Sequence, residues 1–446
     1  MKEQFAKTLL SVCVAAPTLA LGVALVPSVS DVTMSQAQDR TVTITYKLAN
    51  APAVVTLDIQ TNTTDGAWVS IGGENISGVL SGVPTGDVWK VVEGEADTVH
   101  TITWRPDRSA WVDSRVPANG ARAVVTAWAT NAAPDYMVFD LAATSSQRVS
   151  YYPGEAFLPG GLLTNPDYRT TRLVMRKIPA NGAVFTMGSV AEAGRDSSLE
   201  TFHSARLGND YYMGVFEVTQ TQWMSVMGSN PSKFTLQGSM RPVECVSYQM
   251  ARTAVGSEAY TNMVPAAPVS GSFMDELRVL SGNTIDFDLP SEAEWEYACR
   301  AGNGEGYWGN GDAIGTDNMQ GRNLSNVEDS TIKMNGETPP DGTGTISPAN
   351  ATAIAGSYGK NGFGLFDMHG NVQEWCIDMY KVDITALDGA PVLNAAQSDG
   401  SRRYIMRGGH WSDPYYHNRS ASRRSVIHNK ELAMYGIRVK CTTGAK

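Results

Sequence analysis

From residue 41 to 48 the chain reads TVTITYKL, with Val42, Ile44, Tyr46 and Leu48 on one face and threonines and Lys47 on the other. A period of two is that of a strand with one face buried. Runs at 54–59, 100–104, 121–130 and 136–141 follow the same style, parted by turn residues such as Asp65 with Gly66 and the PTG at 84–86. Regularly spaced strands with no helical period between them predict a small all-β sandwich of the immunoglobulin or fibronectin type over 28–150. No catalytic constellation falls in it. Residues 151–172, rich in Gly and Pro at 154–167, predict a linker.

Beyond 173 the pattern becomes mixed. Pro290 followed by Ser291 and Glu294 is a capping box: the serine hydroxyl accepts from the Glu294 N–H while that carboxylate reaches back. The spacing places Trp295 and Cys299 on one helical face, and Gly302 suits the left-handed residue after the last turn. Thr219 and Gln222 repeat the capping logic for a helix ending at Gly228. Further helices are predicted after Ser247 and over 272–280. A Gly/Asn/Asp/Thr-rich tract from 302 to 362 has no clear period.

With 446 residues, 42% of them hydrophobic and 18% charged, the chain has the length and composition for two or three globular domains. The net charge of -10 and the lack of a Lys/Arg cluster exclude nucleic acid as the expected partner. Lys2 and Lys7 before an apolar run identify residues 1–27 as a secretory signal peptide. The mature chain is then expected outside the cytoplasm, secreted or periplasmic, with no later run long enough to span a membrane. Removing the signal leaves Cys245, Cys299, Cys376 and Cys441, which allow three disulfide pairings or four buried thiols. Serine-hydrolase elbows, phosphate loops and His-Glu-x-x-His are absent.

Several motifs stand in one order: FTMGS at 185–189, EVT at 217–219, RPVECVS at 241–247, LPSEAEWEY at 289–297, NGFGLFDMHGNVQEWCIDMY at 361–380, RGG at 407–409, RSA at 419–421 and YGIR at 435–438. This set resembles the sulfatase-modifying-factor family, whose type member is the formylglycine-generating enzyme. The resemblance spans 173–446 and implies an α+β, loop-rich fold of the C-type-lectin-like kind, with loops held by calcium. It implies calcium ligation by Asp367, Gly370, Val372 and Glu374, mixed side-chain and carbonyl oxygens of the sort calcium takes. A second calcium site is implied to use Asn323 and Leu324. It also favours a Cys299–Cys441 disulfide.

The resemblance fails at one point. The family binds Cu(I) through two cysteines between Arg-Gly-Gly and the terminal Gly-x-Arg, and soft thiolates suit that ion. Here the segment 407–438 contains no cysteine. The first copper position falls at Asp413 and the second between Tyr415 and Asn418, while His410 replaces the serine after Arg-Gly-Gly. His410, Asp413, His417 and His428 could offer imidazole and carboxylate to another metal, or could simply stabilise loops. Arg407, Arg419 and Arg438 are expected as internal ion-pair partners. The expected function is therefore a binding or structural module with calcium and without copper, recognising a peptide, protein or glycan. The alternative is an oxidoreductase converting a sulfatase cysteine to formylglycine with O₂, or a related metal-dependent modifier.

Overall fold

The computed structural model describes residues 26–442, except 79, 110, 112–114, 117–119, 145–147, 193, 236–237, 254–262, 304–351, 394, 396–400 and 414. Residues 1–25 of the expected signal peptide, and the second calcium pair Asn323 and Leu324, lie outside the described residues. Among the described residues no helix is long and apolar enough to cross a membrane.

The N-terminal strands form as their alternation requires. Val42–Ala49 lies between Ser28–Gln36 and Val99–Trp104, with the short strand Thr85–Gly86 beyond, all antiparallel. Val42, Ile44, Tyr46 and Leu48 are buried while the residues between them are not. A second antiparallel sheet is built on Ala53–Asn62, paired with Trp68–Ser70, Val91–Val92 and Ala121–Ala129. Val55, Leu57 and Ile59 meet Ile44, Ile102 and Trp104 in one core.

The next sheet crosses the boundary expected at residue 150. Its order is Val149–Tyr152, Tyr136–Asp140, Arg172–Ile178, Tyr211–Gly214 and Lys440–Thr442, antiparallel throughout. Tyr136–Asp140, expected in the N-terminal sandwich, instead lies beside Arg172–Ile178, with Val138 opposite Val174. The reason is burial on both faces. Met137, Phe139, Leu173 and Met175 belong to the C-terminal core, whereas Tyr136, Val138 and Val174 belong to the core shared with the N-terminal strands. The expected linker is likewise not free: short 3₁₀ turns at Glu155–Phe157 and Pro166–Arg169 flank the buried Leu158, Leu162 and Tyr168.

The remainder has mixed sheets and few helices. Val184–Met187 pairs with His203–Arg206. A four-stranded sheet runs Arg424–Ile427, Arg403–Arg407, Gln373–Met379, Tyr435–Gly436, its last pair parallel. Helices Gln220–Met227 and Glu292–Arg300 both start at the predicted capping boxes, and the first ends at a left-handed Gly228. Trp295 and Cys299 are fully buried on one face, and Phe273–Leu280 is helical as predicted. The helix expected after Ser247 is only a π-turn, Gln249–Thr253, whose Arg252 forks onto Asp288 at 2.7 and 3.0 Å.

Candidate functional site

The segment after strand Arg403–Arg407 turns through two left-handed glycines, Gly408 at φ 89° and Gly409 at φ 67°. A Cβ on Gly409 would lie 2.1 Å from Asn418 Oδ1, so side chains are excluded by space as well as by conformation. The loop is then fixed from below by buried guanidiniums. Arg407 pairs with Glu296 and Glu292 and donates to the carbonyls of Ser420 and Ser422, the latter at 2.6 Å. Arg419 binds Glu192 and Glu200, each at 2.7 Å, and donates to the Tyr416 carbonyl at 2.8 Å. Arg423 forks onto Glu292. These arginines bind carboxylates and carbonyls of the chain itself, the internal pairing expected of them.

At the first family copper position, Asp413 is buried and accepts from Arg424 Nη2 at 2.6 Å. His410 Nε2 lies 3.3 Å from Asp413 Oδ2 and 3.2 Å from Arg424 Nη1, while the Ser412 N–H points at Nδ1 from 3.2 Å. Two donors thus face the ring, the Ser412 N–H at Nδ1 and Arg424 Nη1 at Nε2, and a neutral imidazole accepts from one of them only. Burial, then the Arg424 charge, push His410 down to about 3, so the imidazole is neutral. Tyr415 starts the 3₁₀ turn Tyr415–His417. Asn418 is buried and its carbonyl accepts from His369 Nδ1 at 2.8 Å. His428 follows the strand that Arg424 begins, on the order of 13 Å further along at about 3.3 Å per residue. Among the described residues no three His, Cys, Asp or Glu side chains converge as a metal site.

The cysteines do not replace the missing pair in this segment. All four described cysteines are buried free thiols, so the Cys299–Cys441 bridge implied by the resemblance is not formed. Cys299 faces Ser420 Oγ at 3.5 Å, the Met368 carbonyl and His369, whereas Cys441 sits on the terminal strand opposite Tyr212. The two thiols have different surroundings. Burial pushes Cys245 and Cys299 up to about 12, and Cys376 and Cys441 upward as well. They are protonated at neutral pH, the form that ligates soft metals poorly.

Asp367, Gly370, Val372 and Glu374 lie on one buried stretch, coiled by positive φ at Asp367, Gly370 and Asn371. Asp367 Oδ2 accepts from the Gly356 N–H at 2.6 Å, and its Oδ1 is buried with no partner. Glu374 is forked by Arg438 at 2.7 and 3.0 Å and accepts from Trp295 Nε1 at 2.6 Å. Glu217 holds the same loop, accepting from Asn371 Nδ2 at 2.6 Å and the Val372 N–H at 3.0 Å. Three buried carboxylates thus surround Arg438, with half-buried Arg169 as the next cation. Burial and mutual repulsion raise Glu217 well above the usual carboxylate range; Asp367, raised chiefly by burial, reaches about 6. A spare buried oxygen and surplus negative charge fit a hard cation. Glu374 fits it less well, because its oxygens are already shared with Arg438 and Trp295.

Glu217, Glu292 and Glu296 stand within the motifs and Arg424 in the short basic pair with Arg423, but their spacing assigns them no role. Carboxylates set among apolar residues were the available signal, since such groups are buried only when paired.

Comparison with known proteins adds the lineage. The family described as "Sulfatase-modifying factor enzyme 1-like domain" matches residues 166–442. A chaperone protein LppX of Paenibacillus barcinonensis is 32% identical over 191 residues, 39% of this chain and 64% of that protein. A formylglycine-generating enzyme of Thermomonospora curvata is 35% identical over 95 residues, 21% of this chain and 28% of that enzyme. The chain therefore spans less than two thirds of these curated relatives. Treponema denticola variable protein 1 is similar with 22% identity and a TM-score of 0.44, covering 61% of this chain and 96% of that one.

Proposed function

The chain belongs to the sulfatase-modifying-factor family, and from that premise we propose that it is an exported binding module that keeps the family scaffold without its copper oxidase chemistry. One observation carries the reading: where the copper thiolates would stand, Asp413 is ion-paired to Arg424 beside a neutral His410. An ion pair of nitrogen and oxygen groups offers no soft donor to Cu(I) and leaves no thiolate to activate O₂.

The same segment suits recognition. Trp411, Tyr416 and His417 are partly exposed on a loop held rigidly by the buried arginines, and Phe234 meets the Trp411 ring edge-on at 5.4 Å. Aromatic groups on a rigid support supply contact area at small entropic cost, the character of binding hot spots. The partner class is a peptide, protein or glycan outside the cytoplasm. The N-terminal β-sandwich would serve as the spacer that presents this face.

Calcium belongs to the proposal as a structural ion. Asp367 and the carbonyls of Gly370 and Val372 would hold it, with Glu374 contributing a carboxylate shared with Arg438. Bound there, it would neutralise the surplus charge of the buried carboxylates. Chelation is expected to lower Tm by several degrees, since a ligand at 100 times its Kd stabilises by about 2.7 kcal/mol. An unchanged Tm in calcium and in chelator would remove the ion from the account.

The oxidase question is tested by incubating the protein with copper, O₂ and a sulfatase-type cysteine peptide, followed by mass spectrometry. The expected result is an unmodified thiol. Conversion of the cysteine to formylglycine would overturn the reading.

A further inference from the structure

Among the described residues, clefts lie away from the 407–438 segment, and two of them are large enough for a small molecule. The larger, about 380 Å³, is lined by Arg206, Asp288, Glu294, Asp388 and Lys440. Its charges are already matched: Lys440 pairs with Glu294 at 3.0 Å, Arg206 with Asp388 at 3.8 Å, and Asp288 with Arg252. The smaller, about 290 Å³, sits at the seam where Leu80 and Val83 of the N-terminal unit meet the five-stranded sheet. Seams of this kind are where small-molecule sites concentrate.

The seam pocket has one unmatched group. Arg172 is neutralised by Asp140 at 2.9 Å, with Asp167 at 3.5 Å. Arg148 is held differently. Its Nη1 donates to the carbonyls of Asp140 and Leu141 at 3.0 and 2.8 Å, which fixes the guanidinium plane. Among the described residues neither its Nε nor its Nη2 meets an acceptor, and the Nε is buried. Nε is closed off from any ligand, and Nη2 is the donor left to meet an acceptor that enters the pocket. The charge of Arg148 also has no carboxylate partner among the described residues, in contrast to Arg172, so the guanidinium is the one cation of the pocket wall left without a counter-charge. Apart from Ser150, the other walls, from Val138, Tyr152, Tyr168 and Pro159 with Leu80 and Val83, are apolar or aromatic. The volume admits a group of benzoate or single-residue size.

We propose that this pocket binds a small organic carboxylate with an apolar body, held through Nη2 of Arg148. The same chemistry is offered by a free acid and by a peptide C-terminus. Calorimetric titration of the full chain with benzoate, with N-acetyl-glycyl-phenylalanine and with the C-terminal amide of that peptide separates the sources. Saturable binding of either carboxylate, with none of the amide, is expected. Benzoate alone would identify a free acid, and the peptide alone a chain terminus. Arg148→Gln should weaken binding at least tenfold. Because Arg148 also supports two carbonyls, Val83→Trp provides a second variant that fills the pocket and leaves the arginine intact; it should abolish binding with an unchanged circular dichroism spectrum. No saturable binding by either carboxylate, equal binding of the amide, or wild-type affinity in either folded variant would overturn the proposal.

Discussion

At the scale of single residues, buried charge decides what the segment after Arg-Gly-Gly can do. Arg407, Arg419, Arg423 and Arg438 are nearly or wholly inaccessible, and each faces at least one carboxylate. Removing one partner of such a pair strands the other. Arg407→Met is therefore expected to cost roughly 3–5 kcal/mol in urea unfolding, because Glu296 loses a partner that lies wholly inside the protein. A loss below 1 kcal/mol would show that the cluster re-pairs through Arg300. His369 gives a pH signature. Burial lowers it from 6.5 to about 4, against a donated hydrogen bond to the Asn418 carbonyl. The unfolded chain then binds more protons than the native one between those values, so this histidine makes stability rise with pH from about 4 to 6.5. Its contribution is complete above 6.5 and lost as pH falls, by roughly 3 kcal/mol in all. His369→Gln should flatten the slope across that window, whatever its effect at pH 7; an unchanged slope would assign it elsewhere. The arginine roles were legible in the sequence, because guanidiniums within a loop-rich fold have few other uses. Their partners were not, because Glu192, Glu200, Glu292 and Glu296 come from segments more than a hundred residues away.

Among the elements, those specified locally were the readable ones. Both capping boxes form because Ser291 with Glu294, and Thr219 with Gln222, carry their own hydrogen-bond partners within three residues. Ser291→Ala should cost about 1 kcal/mol by thermal denaturation. Two glycines give a sharper comparison. Gly228 has a positive φ and open space around it, so Gly228→Ala should cost about 1–2 kcal/mol from the left-handed backbone alone. Gly409 has a similar φ but Asn418 in the way, so Gly409→Ala should cost visibly more. Equal losses would mean that the turn after Arg407 yields easily. Strand 136–140 was legible as a strand and misplaced as to partner. Alternation reports which faces are buried; it does not report what buries them. The short 3₁₀ turns of the expected linker carry no period at all, so the burial of Leu158 and Leu162 left no signal.

Over the whole molecule, one sheet joins the two halves. Its strands Tyr136–Asp140 and Arg172–Ile178 have one face in each core, so the N-terminal unit covers apolar surface of the family domain. A chain beginning at residue 151, the boundary the sequence suggested, would lack Tyr136–Asp140, one of the two strands that pair with Arg172–Ile178. It should be insoluble or fail to show a cooperative unfolding transition, and a soluble cooperative fragment would show the halves to be independent. The family assignment was readable because eight motifs spread over the C-terminal part keep one order. The chemistry was readable only as a contrast: a motif segment present, its two sulfur donors replaced.

That contrast is most directly tested by anaerobic titration of the reduced, full-length protein with Cu(I) in the presence of a chromophoric cuprous chelator. The Asp413–Arg424 pair and the protonated, buried thiols predict that the chelator keeps all of the copper. Withdrawal of one equivalent by the wild type, and not by a variant lacking its cysteines, would contradict the account.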